Sequence, residues 1–119
     1  MTQSTFIFRD TTVSAFVMLP AAVATNESLS MTARIAYGIL LSRATLSQRK
    51  ADDWSDDNGR IYCIYSVAAL AKQLHRGKTA TQAALAELES NDLLVRVRQG
   101  YNRPNRLYVK VPIDDHPDR

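Results

Sequence analysis

The strongest constraint on this chain is a pair of amphipathic segments joined by a very short break. Apolar side chains recur at helical spacing in residues 67–74 and again in residues 78–91, so each segment predicts an α-helix with one buried face. Ser66 precedes the first segment and suits an N-cap. The break at residues 75–78, His-Arg-Gly-Lys, contains glycine, which favours the end of a helix. Two helices joined in this way predict a helix-turn-helix unit.

Alternating apolar and polar residues follow the second helix and predict a β-hairpin. Residues 93–99 and 106–111 both alternate, and residues 100–105 between them are rich in Gly, Asn and Pro. Ahead of the two helices, a polar loop at 47–59 leads into 61–65, whose composition predicts a short strand. This order of elements predicts an α+β fold, a winged helix-turn-helix with a basic β-hairpin as its wing.

The N-terminal part of the chain predicts extended segments followed by a long helix. Thr5–Phe8 and Val13–Leu19 are rich in β-branched and aromatic residues, which favours strands. Ser30 suits the N-cap of a helix from Met31 to about Leu46, whose apolar face is broad. Between them, Pro20–Leu29 fits either a short helix or a loop.

Length and composition indicate one globular domain. The chain has 119 residues, of which 45% are apolar and 23% charged. We assign residues 1–112 to the domain and residues 113–119 to a tail or the start of a linker. The sequence has no signal-peptide pattern and no apolar run of the roughly 20 residues that span a membrane. We therefore expect a cytoplasmic protein with no membrane partner.

Signatures of catalysis and of metal binding are missing from the sequence. It has no glycine-rich phosphate loop, no nucleophile elbow and no zinc-protease helix. The single cysteine, Cys63, excludes an internal disulfide and fits a small buried residue. The carboxylates at 52–57 lack the spacing of a calcium loop. We expect a binding protein and not an enzyme, without cofactor or metal.

Positive charge is concentrated in the second half of the chain. Residues 60–112 carry nine basic and three acidic side chains, whereas residues 1–59 carry five basic and six acidic. Such an imbalance concerns the partner and not the fold. It favours a polyanion such as nucleic acid, although a solvated basic surface explains the charge alone equally well.

The second helix of the helix-turn-helix has an outward face that suits base contacts. If its apolar stripe faces the core, Thr79 and Gln82 lie on the opposite face near the N-terminal end. Glutamine can bond adenine with two hydrogen bonds, and threonine can bond a base edge or contact a thymine methyl. Arg76 and Lys78 lie where a phosphate would meet the free N–H groups of the first turn. An exposed helix face without a partner is the alternative interpretation.

The predicted wing supplies a second group of candidate DNA contacts. The group combines basic residues with the polar and aromatic residues of the turn, and comprises Arg96, Arg98, Tyr101, Asn102, Arg103, Asn105 and Arg106. Arginine binds phosphates and inserts into narrow minor grooves. A hairpin charged only to prevent aggregation is the alternative. Mixed charges would serve that purpose, so the absence of carboxylates from 93–112 favours DNA.

Several motifs together resemble one known family. They are Phe16-Val17-Met18-Leu19-Pro20, Leu29-Ser30 with the helix Ala36–Arg43, the acidic-Asn-Gly turn of Asp57–Tyr62, the helix-turn-helix residues Leu70, Ala71, Leu74, Ala84, Leu85, Glu87 and Leu88, and the wing Gln99–Tyr108. The turn and the Gly-x-x-x-Pro-Asn-x-x-Tyr wing are the most specific. In these motifs the chain resembles the N-terminal domain of the plasmid replication initiator A family, typical of low-copy plasmids of Gram-positive bacteria.

The resemblance implies a function in DNA replication. Members of the family bind repeated double-stranded sites in a plasmid origin, act as dimers and recruit host replication proteins. A transcriptional regulator of the same fold, or a protein-interaction module of the replication machinery, is the alternative. The broad apolar face of the long helix, with Phe6, Ile7 and Phe8, separately predicts a homodimer joined through N-terminal elements.

Overall fold

The fold of the chain was analysed in a computed structural model that describes residues 3–13 and 16–113. Its elements in chain order are α1 Ala21–Ala24, α2 Met31–Gln48, α3 Ala51–Trp54, α4 Val67–Leu74, α5 Lys78–Ser90, β1 Leu94–Val97 and β2 Arg106–Val109. Helix α2 packs against α4, α5 and β2. This arrangement confirms the predicted α+β winged helix-turn-helix. The predicted tail beyond Ile113 lies outside the described residues.

Helix α2 contributes the central face of the core. Ser30 caps it as predicted, and the backbone N–H of Ala33 donates to its Oγ over 3.1 Å. The buried side chains of α2 lie at helical spacing, and include Ala33, Ala36, Tyr37, Leu40 and Leu41. The Tyr37 hydroxyl donates to the carbonyl oxygen of Lys110 over 2.9 Å, and its burial raises the pKa of the phenol. This bond joins the long helix to the end of the wing.

Helices α4 and α5 form the predicted helix-turn-helix. Ser66 caps α4 through a hydrogen bond of 3.0 Å. His75, with φ of 54°, is the left-handed residue that ends α4, and the next N–H, of Arg76, donates to the carbonyl of Ala71 over 3.1 Å. Gly77 has an ordinary φ of −70°. The buried stripe of α5 is the predicted one, namely Thr81, Ala84, Leu85 and Leu88.

The wing is an antiparallel pair, β1 with β2, in which Arg96 lies opposite Leu107. Leu94 and Leu107 are buried, whereas Val95 and Val97 are each 42% exposed. Because neighbouring side chains of a strand point to opposite faces, Arg96 lies on the inner face and the two valines on the outer face. The alternation in the sequence therefore does separate two faces of β1. Its apolar residues, however, lie on both faces, with Leu94 on the buried face and Val95 and Val97 on the exposed one.

The predicted strand at 61–65 is wrong as a continuous strand. Ile61 forms one antiparallel bridge with Ser55, and Cys63 forms another with Leu107. Only alternate residues find a partner before α4 begins, so no ladder develops. Cys63 is buried as predicted, and burial raises the pKa of its thiol to about 11. The thiol is therefore protonated near neutral pH and is a structural residue.

Two other sequence-based expectations also need correction. Thr5–Phe8 and the described residues of Val13–Leu19 belong to no strand, and residues 14 and 15 of the second segment lie outside the described residues. High β-propensity forms a strand only beside a partner, and these segments have none among the described residues. The polar loop at 47–59 contains the short helix α3. Of the two alternatives for Pro20–Leu29, the short helix is confirmed, as α1.

The N-terminal segment crosses α2 at Gly38. A Cβ atom built on Gly38 would lie 2.5 Å from Cγ1 of Val17 and 3.0 Å from the carbonyl oxygen of Met18. One turn later, Ser42 Oγ accepts a hydrogen bond of 3.3 Å from the backbone N–H of Met18. This side of α2, the least apolar in sequence, therefore carries the chain's own N-terminal segment instead of facing water.

The replacement Gly38→Ala is expected to detach this segment. At an open helical position alanine is more stable than glycine by about 1 kcal/mol, but here the methyl group occupies the space of Val17 and the Met18 carbonyl. We expect that the Tm of the variant does not rise and that a protease cleaves the segment preceding Pro20 faster than in the wild type. A higher Tm with unchanged protection of the segment would show that the crossing accommodates the methyl group.

Candidate nucleic-acid interface

The outward face of α5 presents polar side chains without partners. Lys78, Thr79 and Gln82 are exposed, and none of these side chains forms a hydrogen bond within the described part of the chain. Ala83 and Ala86 are exposed beside them, and their small side chains do not protrude from the helix. The side chains lie on the exposed face that the helical spacing predicts, and their contact with DNA stays a prediction. A surface of this kind can approach a base edge closely.

The N-terminus of α5 is open to an anion. Gly77 occupies the N-cap position and supplies no side-chain acceptor, so the N–H groups of the first turn point outward without a capping oxygen. Lys78 stands at the first helical position. Arg76 is exposed just before it, and its guanidinium lies 3.5 Å from the hydroxyl of Thr32 at the start of α2. The N-terminus of α5 and the two neighbouring cations together favour the binding of a phosphate group.

The tip of the wing is exposed and shaped by its backbone. Gly100 has φ of 129° and Asn102 has φ of 60°, both in the region that tight turns require. The side-chain amide of Gln99 donates to the Pro104 carbonyl over 2.8 Å and closes the turn. The exposed candidates at the tip are Arg98, Tyr101, Asn102, Arg103 and Asn105. Neither Arg98 nor Arg103 has a side-chain hydrogen bond within residues 3–13 and 16–113.

Arg106, the first residue of β2, differs from the tip arginines because Tyr62 and Gln99 hold its side chain. Its guanidinium carbon lies 4.2 Å from the centre of the Tyr62 ring, a cation–π contact. Its Nε also donates to Oε1 of Gln99 over 3.3 Å. Tyr62 in turn packs against Trp54 with ring centres 5.7 Å apart. We name the series Trp54, Tyr62 and Arg106 the wing stack. Sequence reasoning assigned Arg106 to DNA and did not find this stack.

Two basic residues of the hairpin are neutralised from outside it. Arg96 forms an ion pair of 2.6 Å with Glu89 of α5, and Lys110 forms one of 2.6 Å with Asp92. The hairpin sequence has no carboxylates, but Glu89 of α5 and Asp92, two residues after the helix, supply them. The free positive charge of the wing therefore lies at its tip, and DNA binding by Arg96 stays a prediction.

Asp56 organises the turn before Tyr62. Its Oδ1 accepts backbone hydrogen bonds of 2.9 Å from both Asn58 and Arg60, and its Oδ2 accepts the Tyr108 hydroxyl at 3.1 Å. The backbone N–H of Arg60 is the main cause that lowers the pKa of this carboxyl. The acidic loop is thus more than a solvated segment, because Asp56 connects it to the wing. The sequence Asp-x-Asn-Gly at residues 56–59 is typical of a turn stabilised by its first aspartate, and it could have indicated this function of Asp56.

Neither a metal-ligand cluster nor a membrane-spanning helix occurs in the described residues. No three His, Cys, Asp or Glu side chains of these residues come together where they would hold a metal ion. No helix among them has the length and apolar character needed to cross a membrane. The exposed face of α5 and the wing tip are the features with the clearest chemistry, and this chemistry suits a polyanion.

The fold and these two exposed elements define a winged helix-turn-helix domain. A family model described as the N-terminus of replication initiator protein A (RepA) matches residues 15–116. The chain therefore belongs to the family of replication initiator protein A N-termini. A search among curated proteins found no match.

Solved structures give the same assignment. The chain is 35% identical to the N-terminal domain of a DNA-binding protein, with a TM-score of 0.70 over 85% of this chain and 78% of the other. It is 34% identical to a chain from a Rep–DNA complex, with a TM-score of 0.70 over 87% and 80%. It is 38% identical to a chain described as an MDR initiator, with a TM-score of 0.66 over 85% and 80%.

Proposed function

We propose that this domain binds double-stranded DNA at the repeats of a plasmid replication origin, with sequence specificity, and that this binding initiates plasmid replication. The observation that carries the proposal is the unpartnered outward face of α5, with Lys78, Thr79 and Gln82. Membership of the initiator family and similarity to a chain of a Rep–DNA complex support it. The domain acts by binding, catalyses no reaction, and works in the cytoplasm with host replication proteins.

The mechanism follows from the two exposed elements. Helix α5 enters the major groove, where Gln82 and Thr79 contact base edges. The open N-terminus of α5, with Lys78, receives a backbone phosphate. Arg98 and Arg103 at the wing tip bind phosphates or the adjacent minor groove. Base contacts thus give specificity, and the wing gives much of the affinity.

The replacement Gln82→Ala tests the proposed base contact. It is expected to cost roughly 1–3 kcal/mol at an origin repeat, the usual value of a good base contact, and much less on random DNA. The measurement is the ratio of the two Kd values at one fixed salt concentration. Origin fragments that contain direct repeats provide the cognate DNA.

Gln48→Ala is the matched control for this experiment. Gln48 is an exposed glutamine at the end of α2 and lies outside the proposed interface, so its ratio should equal that of the wild type. If Gln82→Ala also keeps the wild-type ratio, the α5 face does not read bases through Gln82. A second experiment distinguishes an initiator from a transcriptional regulator. It measures whether a plasmid that carries the origin is copied in cells with and without this protein, because only an initiator is required for copying.

The domain is further expected to form a homodimer through its N-terminal elements. Phe6, Ile7 and Phe8 are 81%, 85% and 60% exposed, and apolar side chains so exposed favour burial against a partner. A dimer also matches two half-sites. Light scattering at tens of micromolar should give twice the chain mass, and replacing Phe6 and Ile7 with serine should give a monomer. A monomeric wild type would contradict this expectation.

A further inference from the structure

A basic cleft lies at the C-terminal end of α2, at the opposite end of that helix from the turn before α5. It has a volume of about 480 Å³ and lies between the end of α2, Trp54 of α3 and the segment at Cys63 and Ile64. Arg43, Arg49 and Lys50 also line it. No carboxylate lines it, although α3 begins with two exposed aspartates. The cleft therefore combines a cationic rim with aromatic and aliphatic walls.

The three cations of the cleft have no ionic partner among the described residues. None of them forms a salt bridge or side-chain hydrogen bond in the described ranges, and Arg43 only stacks on Tyr65, 5.2 Å from the ring centre. By contrast, Arg96 and Lys110 of the wing are each paired with a carboxylate. Three cations that line one cleft without an ion pair repel one another, and an anionic ligand would relieve that repulsion.

The apolar part of the cleft argues for a protein ligand. Leu46 lines the cleft and is 53% exposed, while Trp54 and Ile64 are partly exposed. A DNA backbone presents phosphates and sugars and gains little from an apolar recess. A peptide can place one apolar side chain in the recess and carboxylates against the rim, which is the usual arrangement of apolar anchor and polar rim.

The position of the cleft also separates it from the N-terminal end of α5. Arg76, at the turn before α5, lies beside Thr32 in the first turn of α2. The cleft cations Arg49 and Lys50 follow the last turn of the same helix. At 1.5 Å per residue the two ends of α2 are roughly 25 Å apart. A ligand in the cleft can therefore be bound while α5 engages DNA.

We propose that this cleft binds an acidic peptide segment of another protein, with one apolar side chain seated against Leu46 and Trp54 and carboxylates on Arg43, Arg49 and Lys50. The proposal is independent of the proposed DNA function, because it uses none of the same side chains. It provides a means by which the domain recruits a partner to bound DNA. The chemistry, and not a particular protein, identifies the partner.

The test uses a fluorescein-labelled peptide with a leucine flanked on each side by aspartates. Binding to the full chain is followed by anisotropy at about 0.15 M salt, where distant surface charges are screened. A peptide with glycine in place of the leucine, and one with asparagine in place of the aspartates, should both bind at least about tenfold more weakly. The probe should also change the fluorescence of Trp54.

Two variants locate the site. Arg49→Glu combined with Lys50→Glu should weaken peptide binding at least about tenfold, whereas Arg9→Glu combined with Lys72→Glu, with the same change in net charge at exposed sites elsewhere, should leave it unchanged. Leu46→Asp removes the proposed apolar contact and changes the net charge less than the double variant does. It should also weaken peptide binding. Unchanged thermal midpoints verify that each variant folds.

Three results would overturn the proposal. The first is no binding of the leucine peptide, and the second is equal binding by the cleft variant and its control. The third is a cleft variant that loses affinity for random DNA but not for the peptide, since the cleft would then contact phosphates. Because Gln82→Ala tests the DNA function separately, failure of one inference leaves the other intact.

Discussion

A protein with alanine at both Arg98 and Arg103 is expected to bind every DNA sequence roughly a hundredfold more weakly near 0.1 M salt. Each phosphate contact contributes about 0.9 to the slope of log K against log salt. If the binding constants for DNA are compared with those at 1 M salt, each lost contact therefore lowers the binding constant at 0.1 M salt by about one order of magnitude. The slope should become shallower by about two units, and a titration at graded salt measures it.

Arg96→Ala is the matched control for the wing variant. Arg96 belongs to the same hairpin, but its guanidinium is paired with Glu89, so its loss should change the slope much less. Arg106→Ala is unsuitable, because it would also disturb the wing stack. An unchanged slope in the double variant would mean that the wing tip faces solvent in the complex.

The replacement Leu88→Ala is expected to lower the free energy of unfolding by about 2–5 kcal/mol. Leu88 is fully buried at 0% exposure on the core face of α5, and alanine would leave a cavity there. Such a loss is a large part of the roughly 5–15 kcal/mol that stabilises a typical domain. Urea unfolding followed by circular dichroism measures it.

Leu46→Ala provides the comparison for Leu88→Ala. Leu46 is also a helical leucine, but it is 53% exposed on α2, and we expect a cost of about 1 kcal/mol or less. Equal costs at the two positions would show that α5 is not packed as described. A destabilised Leu88→Ala protein should keep its sequence preference at low temperature, which distinguishes it from Gln82→Ala.

The helices could be predicted from the sequence because their determinants are local. Ser30 and Ser66 each cap the helix that they precede, and the helical spacing of Thr81, Leu85 and Leu88 is enough to identify the buried side of α5. The exposed polar face of the same helix follows by elimination. Period and capping are short-range properties, so one sequence suffices.

The features that sequence reasoning missed depend on contacts between different elements of the fold. Local sequence does not indicate that Lys110 would pair with Asp92, 18 residues earlier, or that residues 16–19 would cross α2 at Gly38. The strand predicted at 61–65 had the right composition but only isolated bridging partners. Such contacts arise from packing between elements, which propensity does not contain.

The wing stack also provides an optical signal. Trp54 is the sole tryptophan of the chain, and its ring meets Tyr62 at an interplanar angle of 64° while Tyr62 carries the Arg106 guanidinium. Any movement of the wing relative to the body changes the surroundings of this one indole. With the cleft empty, we expect its emission spectrum to follow the orientation of the wing in the unlabelled protein, so that stopped-flow measurements can time that movement when DNA is added.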